Sequence, residues 1–290
     1  MKEIIYLNGD LIPRSQAKIS PFDHGFLYGY GLFETMRSYG GAIFRLNHHL
    51  TRLQHGAETL NIAPKLTALD LDKACHDLLK ANNLADARIR LTVTAGEGDM
   101  VPNPDTCKDI TVFIAAQKLV PPPPETYQRG YSAMLSSNRR NSRSPLSRLK
   151  STSYLENFLA RQEARAAGVN EVVLLNEHGF VAEGSSTNIF LVSQEMLITP
   201  SLESGVLPGI TREAVLELAQ TMGIIPLVRQ VELGELLKAN ETFLTSSTIE
   251  IMPLTRLDNK AIGSGKPGPL AQRLMSSYKE LVAKETRSGQ

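Results

Sequence analysis

Lys150, in Arg148-Leu149-Lys150-Ser151, is a primary amine set just ahead of an amphipathic segment. Most lysines are solvated surface charges, so this one gains interest only from its surroundings. Some thirty residues on, Ala182-Glu183-Gly184-Ser185-Ser186-Thr187-Asn188 breaks between two apolar segments, with a single acid among small hydroxyl residues. Such a stretch suits a tight pocket where backbone approaches a ligand, although an ordinary turn would have the same composition. His48, His49 and His55 crowd a third place, with His48 and His55 seven residues apart, roughly two helical turns. No third ligand accompanies them, so capping and packing roles are expected there and no metal site.

Periodicity identifies the elements that must position these groups. Ile4–Leu7 and Ala42–Phe44 read as strands, and 46–60 and 69–81 as helices with apolar residues on one face. Residues 87–94 alternate as a half-buried strand, and 109–116 form another. Pro121-Pro122-Pro123-Pro124 has no amide hydrogens to offer a helix or sheet interior and marks a linker. Beyond it, 154–167 reads as a helix closed by Gly168, 171–175 and 180–182 as strands around a His178-Gly179 turn, and 188–192 as a strand. Pro208-Gly209-Ile210-Thr211 leads into a helix over 212–222, and 241–246 is an apolar strand. The expectation is a mixed α/β or α+β protein in two domains, 1–118 and 129–290, joined by a Pro-rich linker over 119–128. The second domain would carry Lys150.

A chain of 290 residues suffices for two such cores, and 42% hydrophobic with 21% charged residues is a globular balance. A net charge of +1 asks for neither nucleic acid nor an acidic membrane surface. Cys75 and Cys107 are too few for a disulfide framework, which fits a reduced, cytoplasmic setting. The first residues read as a strand and hairpin rather than a signal peptide, and no apolar run approaches a bilayer-spanning length.

Seven ordered motifs make the chain resemble the class IV aminotransferase family, the fold-type IV pyridoxal phosphate enzymes. They are Asp23-His24-Gly25-Phe26-Leu27-Tyr28-Gly29, Gly31-Leu32-Phe33-Glu34-Thr35-Met36-Arg37, His49-Leu50-Thr51-Arg52-Leu53, Leu149-Lys150, Glu183-Gly184-Ser185-Ser186-Thr187-Asn188-Ile189-Phe190, Leu207-Pro208-Gly209-Ile210-Thr211-Arg212 and Thr245-Ser246-Ser247-Thr248-Ile249-Glu250. The resemblance runs from about Tyr6 to about Pro253 and implies the two-domain D-amino-acid aminotransferase-like fold, pyridoxal 5'-phosphate as cofactor, and a homodimer. It implies that Lys150 binds the cofactor aldehyde and shuttles protons. Glu183 would face the pyridine nitrogen and keep it protonated. Arg52 would bind the phosphate with a charge-assisted fork, with the amides of Ile210 and Thr211 at a helix start and the groups of Ser186, Ser247 and Thr248 beside it.

The family contains branched-chain aminotransferases, D-amino-acid transaminases and 4-amino-4-deoxychorismate lyases, so the pocket decides the reaction. Thr35 stands where branched-chain enzymes usually have glycine and lyases use a threonine to protonate the departing enol; a β-branched packing residue is the alternative. Ala95 stands where the D-amino-acid enzymes carry a carboxylate-binding arginine. Arg37 and Arg90 correspond to arginines near the substrate carboxylate, and Tyr28 and Phe33 to further substrate contacts. Leu155 replaces a tyrosine, and Tyr154 comes one place early. The reading is a lyase releasing 4-aminobenzoate and pyruvate for folate synthesis, with Lys150 and Thr35 catalytic. The alternative is transamination of branched-chain or D-amino acids with 2-oxoglutarate, and a scaffold protein without cofactor is a third possibility.

Overall fold

The computed structural model describes residues 3–287, which fall into two compact units. Residues 3–120, the segment Leu149–Tyr154 and residues 283–287 form the first. Its strands are β1 (Ile4–Leu7), β2 (Asp10–Pro13), β3 (Gly31–Tyr39), β4 (Ala42–Ile43), β5 (Ala87–Thr94) and β6 (Thr111–Lys118). They make an antiparallel sheet in the order β2-β1-β6-β5-β3-β4. Its helices are α1 (His24–Tyr28), α2 (Leu46–Thr59), α3 (Ala63–Thr67) and α4 (Leu71–Ala81).

Strand alternation divides the residues of this sheet between two faces. Leu32, Met36, Ile89, Leu91 and Val93 are buried in one cluster with Leu53 and Ala57 of α2 and Leu78 of α4. Phe33, Thr35 and Arg37 of β3 and Arg88, Arg90 and Thr92 of β5 belong to the opposite face, Thr35 facing Arg90 and Arg37 facing Arg88 in register. Leu149–Tyr154 joins this unit through its backbone. The Phe33 amide donates to the Lys150 carbonyl at 2.8 Å, the Thr152 amide donates to the Gly31 carbonyl at 2.9 Å, and Ser151 bridges to Leu32. Lys150 is therefore fixed at the start of β3, an attachment between residues far apart in the chain that local periodicity does not reveal.

Residues Pro121–Arg148 and Leu155–Val282 form the second unit. Its elements are α5 (Pro124–Arg129), β7 (Tyr131–Arg140), α6 (Leu155–Ala166), β8 (Glu171–Asn176), β9 (Asn188–Ser193), β10 (Met196–Pro200), α7 (Ile210–Thr221), β11 (Leu227–Arg229), α8 (Leu233–Leu237), β12 (Glu241–Ser246), β13 (Glu250–Leu257) and β14 (Lys260–Ala261). A last helix, α9 (Pro269–Arg287), begins in this unit. The mixed sheet runs β11-β10-β9-β12-β13-β7-β8, with β14 paired to β13. Val173, Ile189, Leu191, Leu244 and Leu254 share one core cluster.

Several local expectations shift, among them the helix expected over 212–222, which begins at Ile210. The strand expected over 109–116 lies at Thr111–Lys118, and the proline run ends by starting a helix, Pro124 standing at its first position where a missing amide costs nothing. Phe180–Ala182 is not a strand: it makes isolated bridges, Val181 to Leu175 and Phe180 to Glu232, so the return after the His178-Gly179 turn pairs too briefly to extend the sheet.

Candidate active site

In the first unit the chemistry gathers at the start of β3. The Lys150 ammonium lies 4.7 Å from the centre of the Phe33 ring. Arg90 stacks on the same ring, its guanidinium carbon 3.3 Å from the centre, and its Nε donates to the Thr92 hydroxyl at 3.2 Å. Tyr154 meets Phe33 edge-on at 5.2 Å between ring centres. Tyr154 thus stands beside the lysine and its aromatic plate, whereas Leu155, the residue aligned with the expected tyrosine, is 69% exposed. Burial lowers the Arg90 pKa to about 10, with repulsion from Arg88 adding to it.

Behind β3, Glu34 is fully buried and binds two residues of α2. It accepts from Arg52 through both oxygens, Nε at 2.8 Å and Nη2 at 2.6 Å, and from His49 Nδ1 at 2.7 Å. Burial alone would raise the Glu34 carboxyl, but the Arg52 guanidinium and His49 more than reverse it and hold it far below the ordinary carboxylate range. Burial also lowers His49, outweighing the pull of Glu34, and Arg52 and Lys150 repel its proton further. The contact is therefore a hydrogen bond from a neutral ring. The sequence reading gave the Arg52 fork to a phosphate; its Nε/Nη2 edge is instead held by Glu34, so a phosphate contact would use the other edge. His49 is a buried hydrogen-bonding residue, and no group of three or more metal-ligating side chains occurs among the described residues.

Arg37 packs its guanidinium 4.4 Å from the Tyr39 ring centre. Thr35 sits at intermediate depth on the same face as Phe33 and Arg37. Tyr28 belongs to a different neighbourhood: its hydroxyl donates to the Met100 carbonyl at 2.5 Å, and its ring meets His24 edge-on.

The second unit carries a carboxylate and a helix start of its own. Glu183 is 6% exposed, and its Oε1 accepts from Arg140 Nη2 at 2.7 Å. Its Oε2 accepts from the Leu207 amide at 3.0 Å and from Asn188 Nδ2 at 3.4 Å. Arg140 also donates to Glu156 at 2.8 Å, which makes it the centre of an ion-pair triad. A carboxylate held this way by a cation and an amide is a fixed acceptor for a ring N–H.

Helix α7 opens on Gly209, which offers no side-chain cap, so the amides of Ile210 and Thr211 begin the helix without a carboxylate or hydroxyl over them. That is the arrangement of an anion seat at a helix start. A Cβ on Gly209 would lie 1.9 Å from Asn188 Oδ1, which ties the bareness of this turn to the residue that steadies Glu183. Ser247 and Thr248 lie in the turn between β12 and β13, half-buried, with Thr248 Oγ1 3.4 Å from Ser246 Oγ; Ser186 is exposed in the turn before β9. A lysine amine in the first unit and, in the second, an anchored carboxylate and an uncapped helix start are the groups that an aldehyde-bearing pyridine phosphate requires, so the residues fit pyridoxal phosphate.

The sequence reading passed over Glu34, Arg88 and Arg140. For Arg88 a signal was present: it lies two residues before Arg90 on a strand and so shares its face. Glu34 and Arg140 had none, because each acts through a partner distant in the chain.

Residues 31–257 match the family model for amino-transferase class IV. The chain is 39% identical to a "putative branched-chain-amino-acid aminotransferase" of Methanocaldococcus jannaschii, over 97% of this chain and 96% of that protein. It is 36% identical to an aminodeoxychorismate lyase of Bacillus subtilis, over 96% and 94%. Among solved structures it is similar to the branched-chain amino acid aminotransferase of Escherichia coli, with a TM-score of 0.91 and 31% identity over 99% of this chain and 96% of that one. It is also similar to the T.th. branched-chain amino acid aminotransferase solved with pyridoxamine 5'-phosphate, with a TM-score of 0.90 and 31% identity over 97% and 94%.

Proposed function

Because the chain belongs to the class IV aminotransferase family and takes pyridoxal 5'-phosphate, we propose that it works as a 4-amino-4-deoxychorismate lyase. When bound, the cofactor supplies an electron sink beside the amine-bearing carbon of the substrate. Lys150 would hold the cofactor aldehyde, and its amine would take the proton from that carbon. Glu183 holds the proton on the pyridine nitrogen, while Arg140 and the Leu207 amide keep its carboxylate in place. The amides of Ile210 and Thr211, with Ser186, Ser247, Thr248 and Arg52, bind the phosphate. Arg37 and Arg90 bind substrate carboxylate, and the ring of Phe33 holds Arg90 in position.

The observation that carries the lyase reading is the placement of Thr35. Its side chain belongs to the face of β3 that carries Phe33 and Arg37, directly across from Arg90. A hydroxyl there can give its proton to the enol that leaves as pyruvate when the carbon–oxygen bond breaks, and the ring becomes 4-aminobenzoate, a precursor for folate synthesis. Transamination is the second reading, favoured by the similarity to branched-chain aminotransferases. In it Lys150 would carry the substrate's proton onward, and the substrate would end, after hydrolysis, as an oxo acid.

An absorbance spectrum of the loaded protein separates the two. Bleaching of the visible band by L-leucine or D-alanine at a useful rate would establish a transaminase and remove the lyase reading. A band that survives both amino acids, with 4-aminobenzoate formed from aminodeoxychorismate, supports the lyase. Thr35→Val should then slow turnover by about 100-fold, the scale of a lost general acid. No helix is long and apolar enough to cross a membrane among the described residues. We also propose a homodimer; the exposure of Phe26 (76%) and Met100 (74%) in one neighbourhood with Tyr28 supports it, and light scattering at the mass of one chain would refute it.

A further inference from the structure

The outward face of β3 and β5 carries three guanidinium groups and no carboxylate. Arg37 and Arg88 are directly opposite each other, and Arg90 follows Arg88 on the same face. Opposed residues on neighbouring strands lie about 5 Å apart and successive residues on one face about 7 Å apart, so one small molecule can reach all three. The next strand adds no acid: Gln117 stands opposite Arg88 and Ala115 opposite Arg90. Like charges directly across a sheet destabilise it, so a triplet of this kind is stable when an anion completes it.

The three arginines are not equivalent. Arg90 is held by the Phe33 ring and the Thr92 hydroxyl, and Arg37 lies against the Tyr39 ring. Arg88 is exposed, and among the described residues no ring, carboxylate or hydrogen bond holds its guanidinium. Two cations are thus pinned in place, and the third can adjust to a ligand.

Resting on the reading that this face binds substrate, we propose that Arg88 is a specificity-determining residue that takes a second carboxylate on the substrate. The fixed pair, Arg37 and Arg90, receives the carboxylate nearer the reacting carbon, and Arg88 closes on the distal one. The site thereby selects molecules with two carboxylates over those with one. This holds for either reaction, because it concerns binding and not the fate of the proton.

The test is calorimetric titration of the cofactor-loaded protein with glutarate, which has two carboxylates, and with pentanoate, which has one. Wild-type protein should prefer glutarate. Arg88→Gln should weaken glutarate by about 10- to 100-fold, as expected for removal of a charge-assisted hydrogen bond, and should change pentanoate by less than about twofold. Arg88→Lys should restore part of the preference. Equal loss for both ligands, or no loss for glutarate, overturns the proposal. A protein that never acquires a visible band with pyridoxal phosphate would strike the reading of the catalytic site and this proposal with it, whereas a loaded protein that fails the titration strikes this proposal alone.

Discussion

Glu34 and Arg52 are locked in a two-point fork, Nε to Oε1 at 2.8 Å and Nη2 to Oε2 at 2.6 Å, with the carboxylate wholly out of water. The pair ties β3 to α2 directly behind the strand that carries Phe33 and Thr35. Glu34→Ala removes one partner of a buried pair and strands the other, which should cost about 3–5 kcal/mol of stability. Chemical denaturation would measure it, and a loss under about 1 kcal/mol would show that the fork is incidental.

Stability should fall with acid in two stages. His49 and Glu34 both have folded pKa values below their ordinary ones, so in each case the unfolded chain binds the proton first. Their contributions are complete above the unfolded values, about 6.5 for histidine and 4.3 for glutamate, and are lost as pH falls below each. Urea midpoints should decline from about pH 6.5 downward and more steeply below about pH 4.3. His49→Gln should flatten the upper stage, and an unchanged profile in that variant would assign the decline elsewhere.

Arg140 should matter to the cofactor without touching substrate. Arg140→Met leaves Glu183 buried without its cation, and the carboxylate should rotate or take up a proton. Cofactor affinity should fall by about 10- to 100-fold, the range for removing a charge-assisted hydrogen bond from a buried group. Titrating the visible band of the reloaded protein gives the dissociation constant. Arg140→Lys should recover part of the affinity, a result that general unfolding would not produce.

The bare start of α7 can be tested by adding one methyl group. Gly209→Ala drives a Cβ into Asn188, which donates to Glu183 and to the Leu207 carbonyl, so cofactor binding should weaken by about tenfold, a typical cost of overpacking. Gly234→Ala meets nothing within 4 Å and should leave binding as it is. Equal behaviour of the two variants would count against the anion seat.

The family and several elements were legible in the order of residues. Period-two alternation over 87–94 and period-3.6 spacing over 46–60 marked β5 and α2, because burial on one face writes itself into local sequence. The seven motifs named the family, and from it come the roles proposed for Lys150, Glu183 and the Pro208-Gly209 turn. The brevity of the Phe180–Ala182 pairing was not legible, since a strand exists only where a partner continues beside it.

Tertiary structure decided what surrounds each group. Lys150 is nearer in sequence to α6, yet its backbone hydrogen-bonds to β3, far back in the chain. That attachment sets the ammonium over Phe33, with Tyr154 edge-on to the same ring, and no spacing rule predicts a contact between residues more than a hundred positions apart. The Arg52 fork belongs to Glu34 for the same reason: a guanidinium announces its charge in sequence, but the carboxylate that claims it is chosen by the packing of a helix against a sheet. Sequence determined which reactive groups this protein has; the fold determined which of them meet, because hydrogen bonds and ion pairs act over a few ångströms and the chain brings distant residues that close only when it packs.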